Sequence, residues 1–182
     1  MTTPIYFTHG KIVAESKNIK VYDFDNNLFL EKGPGHNLWI CGYEAEELYS
    51  QLDGKPIGDC LELGLGLGIA SKFILSRGVD SLTTVEINGD VIEVYSQLNP
   101  EKDERHRIIE GSTIDYLRQA EEMYDFIFMD FYDVIDEDTL YELDICINLS
   151  RNILKKGGEI MGWFDPYTPE EFIDPFFELF EK

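Results

Sequence analysis

The chain has 182 residues, enough for one domain with a real core and too few for two full ones. Hydrophobic residues at 43% and aromatics at 13% exclude a disordered chain. The formal net charge of −21 excludes unaided nucleic-acid binding as an expectation, since such a surface repels phosphate backbones. It attracts cationic ligands, or serves only as a solubilising coat.

The start, Met1-Thr2-Thr3-Pro4-Ile5-Tyr6, has no basic segment followed by an apolar run, and no stretch approaches the ~18 apolar residues of a membrane span. A cytoplasmic, soluble protein without a membrane partner is expected. Ile19–Phe24 and Leu28–Leu30 flank Asp25-Asn26-Asn27, a hairpin signal. Lys32-Gly33-Pro34-Gly35 predicts a further turn before Leu38-Trp39-Ile40, and a helix is expected over Tyr43–Leu52. From Ile57 onward strands alternate with helices. Gly58–Leu63 is a strand entering a glycine turn, followed by a helix over Ile69–Arg77. A second strand covers Ser81–Glu86, and its helix, Val91–Leu98, stops before Pro100. Arg107–Ile109 is a short third strand, with a helix over Thr113–Ala120. Tyr124–Met129 is a near-continuous apolar run, as a strand buried on both faces requires. A helix is expected over Asp138–Leu154, ended by Lys155-Lys156-Gly157-Gly158, then a fifth strand over Glu159–Phe164. The last helix, Pro169–Phe180, is expected to kink at Pro175.

Repeated βα units with short connections imply an α/β fold, a Rossmann-like doubly wound, mostly parallel sheet preceded by a small N-terminal β-hairpin region. The expected division is 1–41 for the hairpin region and 42–182 for the Rossmann-like domain, packed as one unit. Phe172, Phe176, Phe177 and Phe180 fall at helical spacing and should cover the sheet, or else contact a second copy of the chain in a homodimer. Cys41, Cys60 and Cys146 have no metal-ligand spacing; Cys60 and Cys146 read as core thiols. His9, His36 and His106 lie far apart and away from any predicted ligand edge, so each is expected at the surface; His36, after a glycine turn, is the best exception.

Ligands of open α/β sheets bind outside the carboxyl ends of the strands, where strand order reverses. Three predicted strand ends carry suitable groups. Gly64, Gly66 and Gly68 in Glu62-Leu63-Gly64-Leu65-Gly66-Leu67-Gly68 allow a tight turn and close approach of a ligand. Glu86, ending the second strand, can accept hydrogen bonds from both hydroxyls of a ribose. Asp130 directly follows the apolar fourth strand, within Asp130-Phe131-Tyr132-Asp133, where a carboxylate can hold an ammonium group or accept a proton.

On these residues, Asp59–Trp163 resembles class I S-adenosylmethionine-dependent methyltransferases, especially their spermidine synthase-like branch. The resemblance of Leu61–Gly68 to the family's first motif implies that Glu62 and the glycines face the amino-acid portion of an S-adenosyl nucleotide. That of Val85-Glu86-Ile87-Asn88 to the second implies Glu86 on the ribose and Ile87 against the adenine. Leu154–Glu159 looks like the family's lead-in to strand five. Glu15–Tyr22 with the following hairpin resembles the branch's N-terminal β-domain. The Asp-x-x-Asp spacing of its active-site loop implies Asp130 as general base beside the nucleotide and Asp133 as amine anchor. The chain departs from the pattern in four places. Val134-Ile135-Asp136-Glu137-Asp138 replaces a Pro- and Gly-rich continuation, and Tyr43-Glu44 only echoes a Tyr-His-Glu signature. Ser112 after Gly111 stands where an acid contacts the adenine amine, with Asp115 as a weak substitute. The sequence ends soon after strand five, where the family's sheet adds two more strands.

The function first implied is methyl transfer from S-adenosylmethionine to a small-molecule acceptor, without a metal. Asp130 would act as base or Tyr132 would orient the acceptor, and Trp163 or Tyr167 would wall the substrate pocket. The alternative is aminopropyl transfer from decarboxylated S-adenosylmethionine to a polyamine, which explains the aspartate pair and suits the acidic surface. A third reading is a nucleotide- or partner-binding protein without transferase activity. A nicotinamide dehydrogenase is disfavoured, because Glu62 suits a methionine amino group better than a pyrophosphate.

Overall fold

The structure, a computed structural model, describes residues 10–32, 37–40 and 50–181. Positions 33–35 of the expected turn, most of the Tyr43–Leu52 helix, and His9, His36, Cys41, Tyr43 and Glu44 lie outside the described residues; 50–52 are helical.

An antiparallel sheet comes first, with strands β1 (Lys11–Glu15), β2 (Ile19–Phe24), β3 (Asn27–Lys32) and β4 (Asn37–Ile40) in sequential order. Asp25 and Asn26 form the β2–β3 turn with φ of 54° and 62°. Two consecutive left-handed residues match the twist of the flanking strands, and short polar side chains tolerate that region. Asn27 pairs with Phe24, so the turn has two residues rather than the expected three.

The second sheet is parallel, in the order β7 (His106–Glu110), β6 (Ser81–Glu86), β5 (Asp59–Leu63), β8 (Tyr124–Met129), β9 (Leu154–Gly162). Its helices are α1 (Ile69–Ser76), α2 (Gly89–Leu98), α3 (Thr113–Gln119), α4 (Glu137–Ser150) and α5 (Glu170–Phe180). Strand order reverses between β5 and β8, which places the switch point beside the glycine turn. Alternate residues of β5 and β8 pack on opposite faces. Leu61, Leu63, Ile127 and Met129 meet Leu117, Leu143, Cys146 and Phe176, whereas Cys60, Phe126 and Phe128 meet Leu52, Ala70 and Ile74. Burying one such large apolar side chain contributes about 1.5–3 kcal/mol. The architecture is the Rossmann-like, mostly parallel sheet with a preceding antiparallel β region that the sequence implies. Burial pushes both the Cys60 and Cys146 thiols up to about 12, consistent with inert core cysteines.

The largest difference from the sequence reading lies before strand five. Helix α4 ends at Ser150, a 3₁₀ turn covers Arg151–Ile153, and β9 already begins at Leu154. Leu154 pairs with Tyr124 and Glu159 with Phe126, so residues 155–158 bulge out of the ladder. Gly157 takes φ 86°, and Lys155 reaches back to Asp59 and Asp125, 2.7 Å from each. The run expected as a helix stop is therefore an ion-paired bulge at the amino edge of the sheet. Helix α5 packs on α4 and β9. Its Phe176 is buried, while Phe177 stays exposed and stacks on Phe164 at 4.9 Å.

Candidate functional site

The turn after β5 alternates two kinds of residue. Gly64, Gly66 and Gly68 have φ of 98°, 50° and 73°, all left-handed. Leu65 and Leu67 between them are buried with Ile19, Val21 and Leu30 of the N-terminal sheet and Val91 and Val94 of α2. The leucines point into the core, which holds the glycine backbone on the open side. The three glycines meet different surroundings. A Cβ at Gly64 would fall on the Asp130 carbonyl oxygen, and one at Gly68 on the Tyr95 ring, whereas one at Gly66 would meet no atom within 4 Å. Only Gly66 of the three therefore borders free space.

Glu86 closes β6 with its side chain buried. The Leu65 N–H donates to its Oε2 at 3.0 Å and the Asn88 N–H to its Oε1 at 2.8 Å. The carboxylate thereby fastens the glycine turn to the α2 N-terminus, and its remaining lone pairs stay available as acceptors. Ile87 beside it is 72% exposed, an apolar side chain facing solvent at the sheet's ligand edge. Asn88 caps α2 by accepting from the Asp90 N–H at 3.0 Å. Ser112 similarly caps α3, accepting from the Asp115 N–H at 3.4 Å, and Asp115 lies 3.8 Å from Arg118.

Glu62 lies beneath the turn rather than on its open face, 1% exposed. Ser71 and Thr84 donate their hydroxyl protons to its Oε2 at 2.5 and 2.6 Å. Burial pushes the carboxyl up to about 7, against those hydrogen bonds, which favour the charged form. His106, expected at the surface, sits half-buried between Thr84 Oγ1 at 2.8 Å and Tyr95 OH at 3.4 Å, because β7 lies beside β6. Thr84 gives its one proton to Glu62, so His106 Nε2–H donates to Thr84 and Nδ1 accepts from Tyr95. Burial lowers the imidazole pKa and keeps the ring neutral. No local sequence signal marks this row, which the parallel register assembles: Glu62 lies opposite Thr84, and His106, opposite Leu82, shares that face one strand further.

The third strand end carries the acidic loop. The Asp130 N–H donates to the Leu63 carbonyl at 2.8 Å, which seats Asp130 beside the glycine turn; Asp133 is exposed. Between them, the Tyr132 hydroxyl donates to the Trp163 carbonyl and the ring meets Phe131 edge-on at 5.5 Å. Asp136 caps α4 by accepting from the Thr139 N–H at 2.9 Å, which holds its carboxyl below the usual range. Trp163 is half-buried against the Leu52–Phe128 cluster, whereas Tyr167 is 88% exposed and packs on no wall. Gln51, not singled out in the sequence, pairs both backbone groups of Phe164 at 3.0 Å.

Charge is sorted along the strands. The last residues of the five parallel strands and the segments that lead from them to the next helix carry Glu86, Glu110, Asp130, Asp133, Asp136 and Asp165 and contain no Lys, Arg or His. At the opposite, amino edge three cations are matched to acids: Lys155 with Asp59 and Asp125, Arg105 with Asp103, and Arg107 with Glu122. Among the described residues, no helix is long and apolar enough to cross a membrane.

No family model matches the chain. Over 113 residues, 59% of the chain, it is 29% identical to a polyamine aminopropyltransferase of Thermoplasma volcanium, and the match spans 41% of that relative's length. The fold is similar to the crystal structure of spermidine synthase from Thermotoga maritima, with a TM-score of 0.68 and 17% identity over 92% of this chain and 60% of that one. It is also similar to a putative S-adenosylmethionine-dependent methyltransferase from Streptococcus mutans, with a TM-score of 0.60 and 16% identity over 92% of this chain and 46% of that one. The chain has the fold of the class I S-adenosylmethionine-dependent methyltransferase and aminopropyltransferase superfamily.

Proposed function

We propose that the chain transfers an aminopropyl group from decarboxylated S-adenosylmethionine to an amine of the polyamine class. The observation that carries this reading is that the described segments at the ligand edge carry carboxylates and contain no Lys, Arg or His. A polycationic acceptor is attracted there, and a donor without a carboxylate meets no repulsion. The identity to a polyamine aminopropyltransferase supports the same direction. Methyl transfer, the function first implied, uses the same fold, but the methionine carboxylate would find no Lys, Arg or His in these segments to pair with.

The residues present fit an S-adenosyl nucleotide. Gly66 leaves open space where a side chain would stand. Glu86 retains acceptor capacity for ribose hydroxyls, Ile87 offers an apolar surface to adenine, and the Ser112 hydroxyl lies at the end of the adjacent strand. When bound, the sulfonium supplies an electrophilic propyl carbon, whose C–S electron pair leaves to sulfur as the amine nitrogen forms the C–N bond. Asp130 takes the proton released by that nitrogen, and Asp133 holds the distal ammonium.

Calorimetry with the two donors decides the matter. Decarboxylated S-adenosylmethionine should bind at least about tenfold more tightly than S-adenosylmethionine, a difference of about 1.4 kcal/mol. The reverse preference replaces this reading with methyl transfer. If Glu86→Ala weakens nucleotide binding yet neither donor supports any group transfer by the unsubstituted protein, a non-catalytic nucleotide-binding role takes its place.

A further inference from the structure

We propose that Tyr132 and Gln51 are positioning residues for amine specificity: they fix the spacing of Asp130 and Asp133 through the backbone of Trp163 and Phe164, without touching the substrate. This rests on the aminopropyl-transfer reading.

Beyond the end of β9 the chain would leave the sheet with unpaired backbone, yet all four polar groups of Trp163 and Phe164 are engaged. The Trp163 N–H donates to the Met129 carbonyl at 2.9 Å, and the Trp163 carbonyl accepts from the Tyr132 hydroxyl. The Phe164 N–H donates to Gln51 Oε1, and Gln51 Nε2 donates to the Phe164 carbonyl, both at 3.0 Å. The Gln51 amide thus acts as one residue of an adjoining strand, and the dipeptide becomes a fixed post.

Tyr132 ties the acidic loop to that post. Its hydroxyl can approach because residue 162 is glycine. A Cβ there would stand 2.9 Å from the Tyr132 hydroxyl, 2.6 Å from the Phe180 ring and 3.1 Å from the Phe176 ring. Burial, and then the nearby Asp130 charge, raise the phenol pKa well above its usual value, so the hydroxyl remains a donor. The far end of the loop is held separately: the Thr139 hydroxyl donates to the Val134 carbonyl at 2.9 Å, beside the Asp136 cap of α4. Asp133 lies on the short span between the two clamps, and Asp130 just before the first. Two carboxylates that must meet the two nitrogens of one flexible amine depend on this spacing, since misplacement of a reacting group by about 1 Å costs on the order of 100-fold.

The test compares Tyr132→Phe, which keeps the ring and removes the donor, with Gln51→Met, which keeps length and removes the amide. Binding of 5′-methylthioadenosine reports the nucleotide half, and binding of putrescine to the nucleotide-saturated protein reports the amine half. Each variant should weaken putrescine about fivefold or more, leave the nucleotide within about twofold, and combine non-additively in the double variant. Equal weakening of both ligands, no weakening, or fully additive effects would overturn the proposal. Amide hydrogen exchange supplies a readout independent of the amine: positions 130–136 should exchange faster in both variants. If the unsubstituted protein binds no putrescine, the aminopropyl reading fails by itself. Unchanged exchange at 130–136 overturns the positioning role.

Discussion

Glu62 sits where water cannot solvate its charge, and the consequence is a linkage between stability and pH. Its carboxyl is raised from 4.5 to about 7 in the folded chain, so the folded state binds its proton more tightly than the unfolded state does. That stabilisation is fully present below pH 4.5 and is lost as pH rises towards 7. Over this window the shift corresponds to about 3 kcal/mol. His106 contributes with the opposite sign: its lowered pKa gives stability above its ordinary value that is lost as pH falls. The difference between the unsubstituted chain and Glu62→Gln isolates the carboxyl. Thermal unfolding between pH 5 and 8 should show the Gln variant gaining relative stability as pH rises, and parallel curves would mean that Glu62 ionises freely. Glu86 makes the contrasting case, with both oxygens already holding backbone N–H groups at the ligand edge. Glu86→Ala should weaken nucleotide binding by about 1.5–3 kcal/mol, the usual worth of hydrogen bonds to a charged group, as measured by calorimetry.

At the scale of elements, the glycine turn shows what a sequence can and cannot convey. Its place between strand and helix follows from pattern, because the apolar run of β5, the glycines and the periodicity of α1 are each local. The three glycines look alike in the sequence, and their separate reasons come from parts of the chain far away. Gly64 is required by the Asp130 carbonyl, Gly68 by the Tyr95 ring, and Gly66 by its left-handed φ alone, with open space where a side chain would stand. Gly64→Ala should therefore destabilise the fold by roughly 3 kcal/mol, combining backbone strain with a clash against a carbonyl that cannot rotate away. Gly66→Ala should cost only about 1–2 kcal/mol of stability and act mainly on nucleotide affinity. Paired measurements of Tm and Kd would separate the two, and similar losses of both in both variants would contradict the assignment. The start of β9 was illegible for the same reason: residues 155–158 leave the ladder because Lys155 finds Asp59 and Asp125, a pairing across 96 and 30 positions. The role of Gln51 is equally hidden, because an amide acting as a strand residue has no local signature.

For the whole molecule, the sorting of charge matters more than its total. A net charge of −21 alone reads equally as a solubilising coat. Cations paired at the amino edge, and acids without Lys, Arg or His in the loops at the carboxyl edge, turn that excess into a directed field. A doubly charged amine should feel this field before contact, as should the equally charged donor, whereas the uncharged 5′-methylthioadenosine should not. Exposed charges are screened beyond about 10 Å at 0.1 M salt and beyond about 3 Å at 1 M, so the amine KM should rise several-fold with added sodium chloride while 5′-methylthioadenosine affinity changes little. Adding an uncharged osmolyte at matched water activity should leave the amine KM unchanged, which separates screening from a general effect on the fold. An amine KM insensitive to salt would place the acceptor away from the carboxylates at the ends of β6, β7 and β8, and would return the acidic surface to the role of a coat.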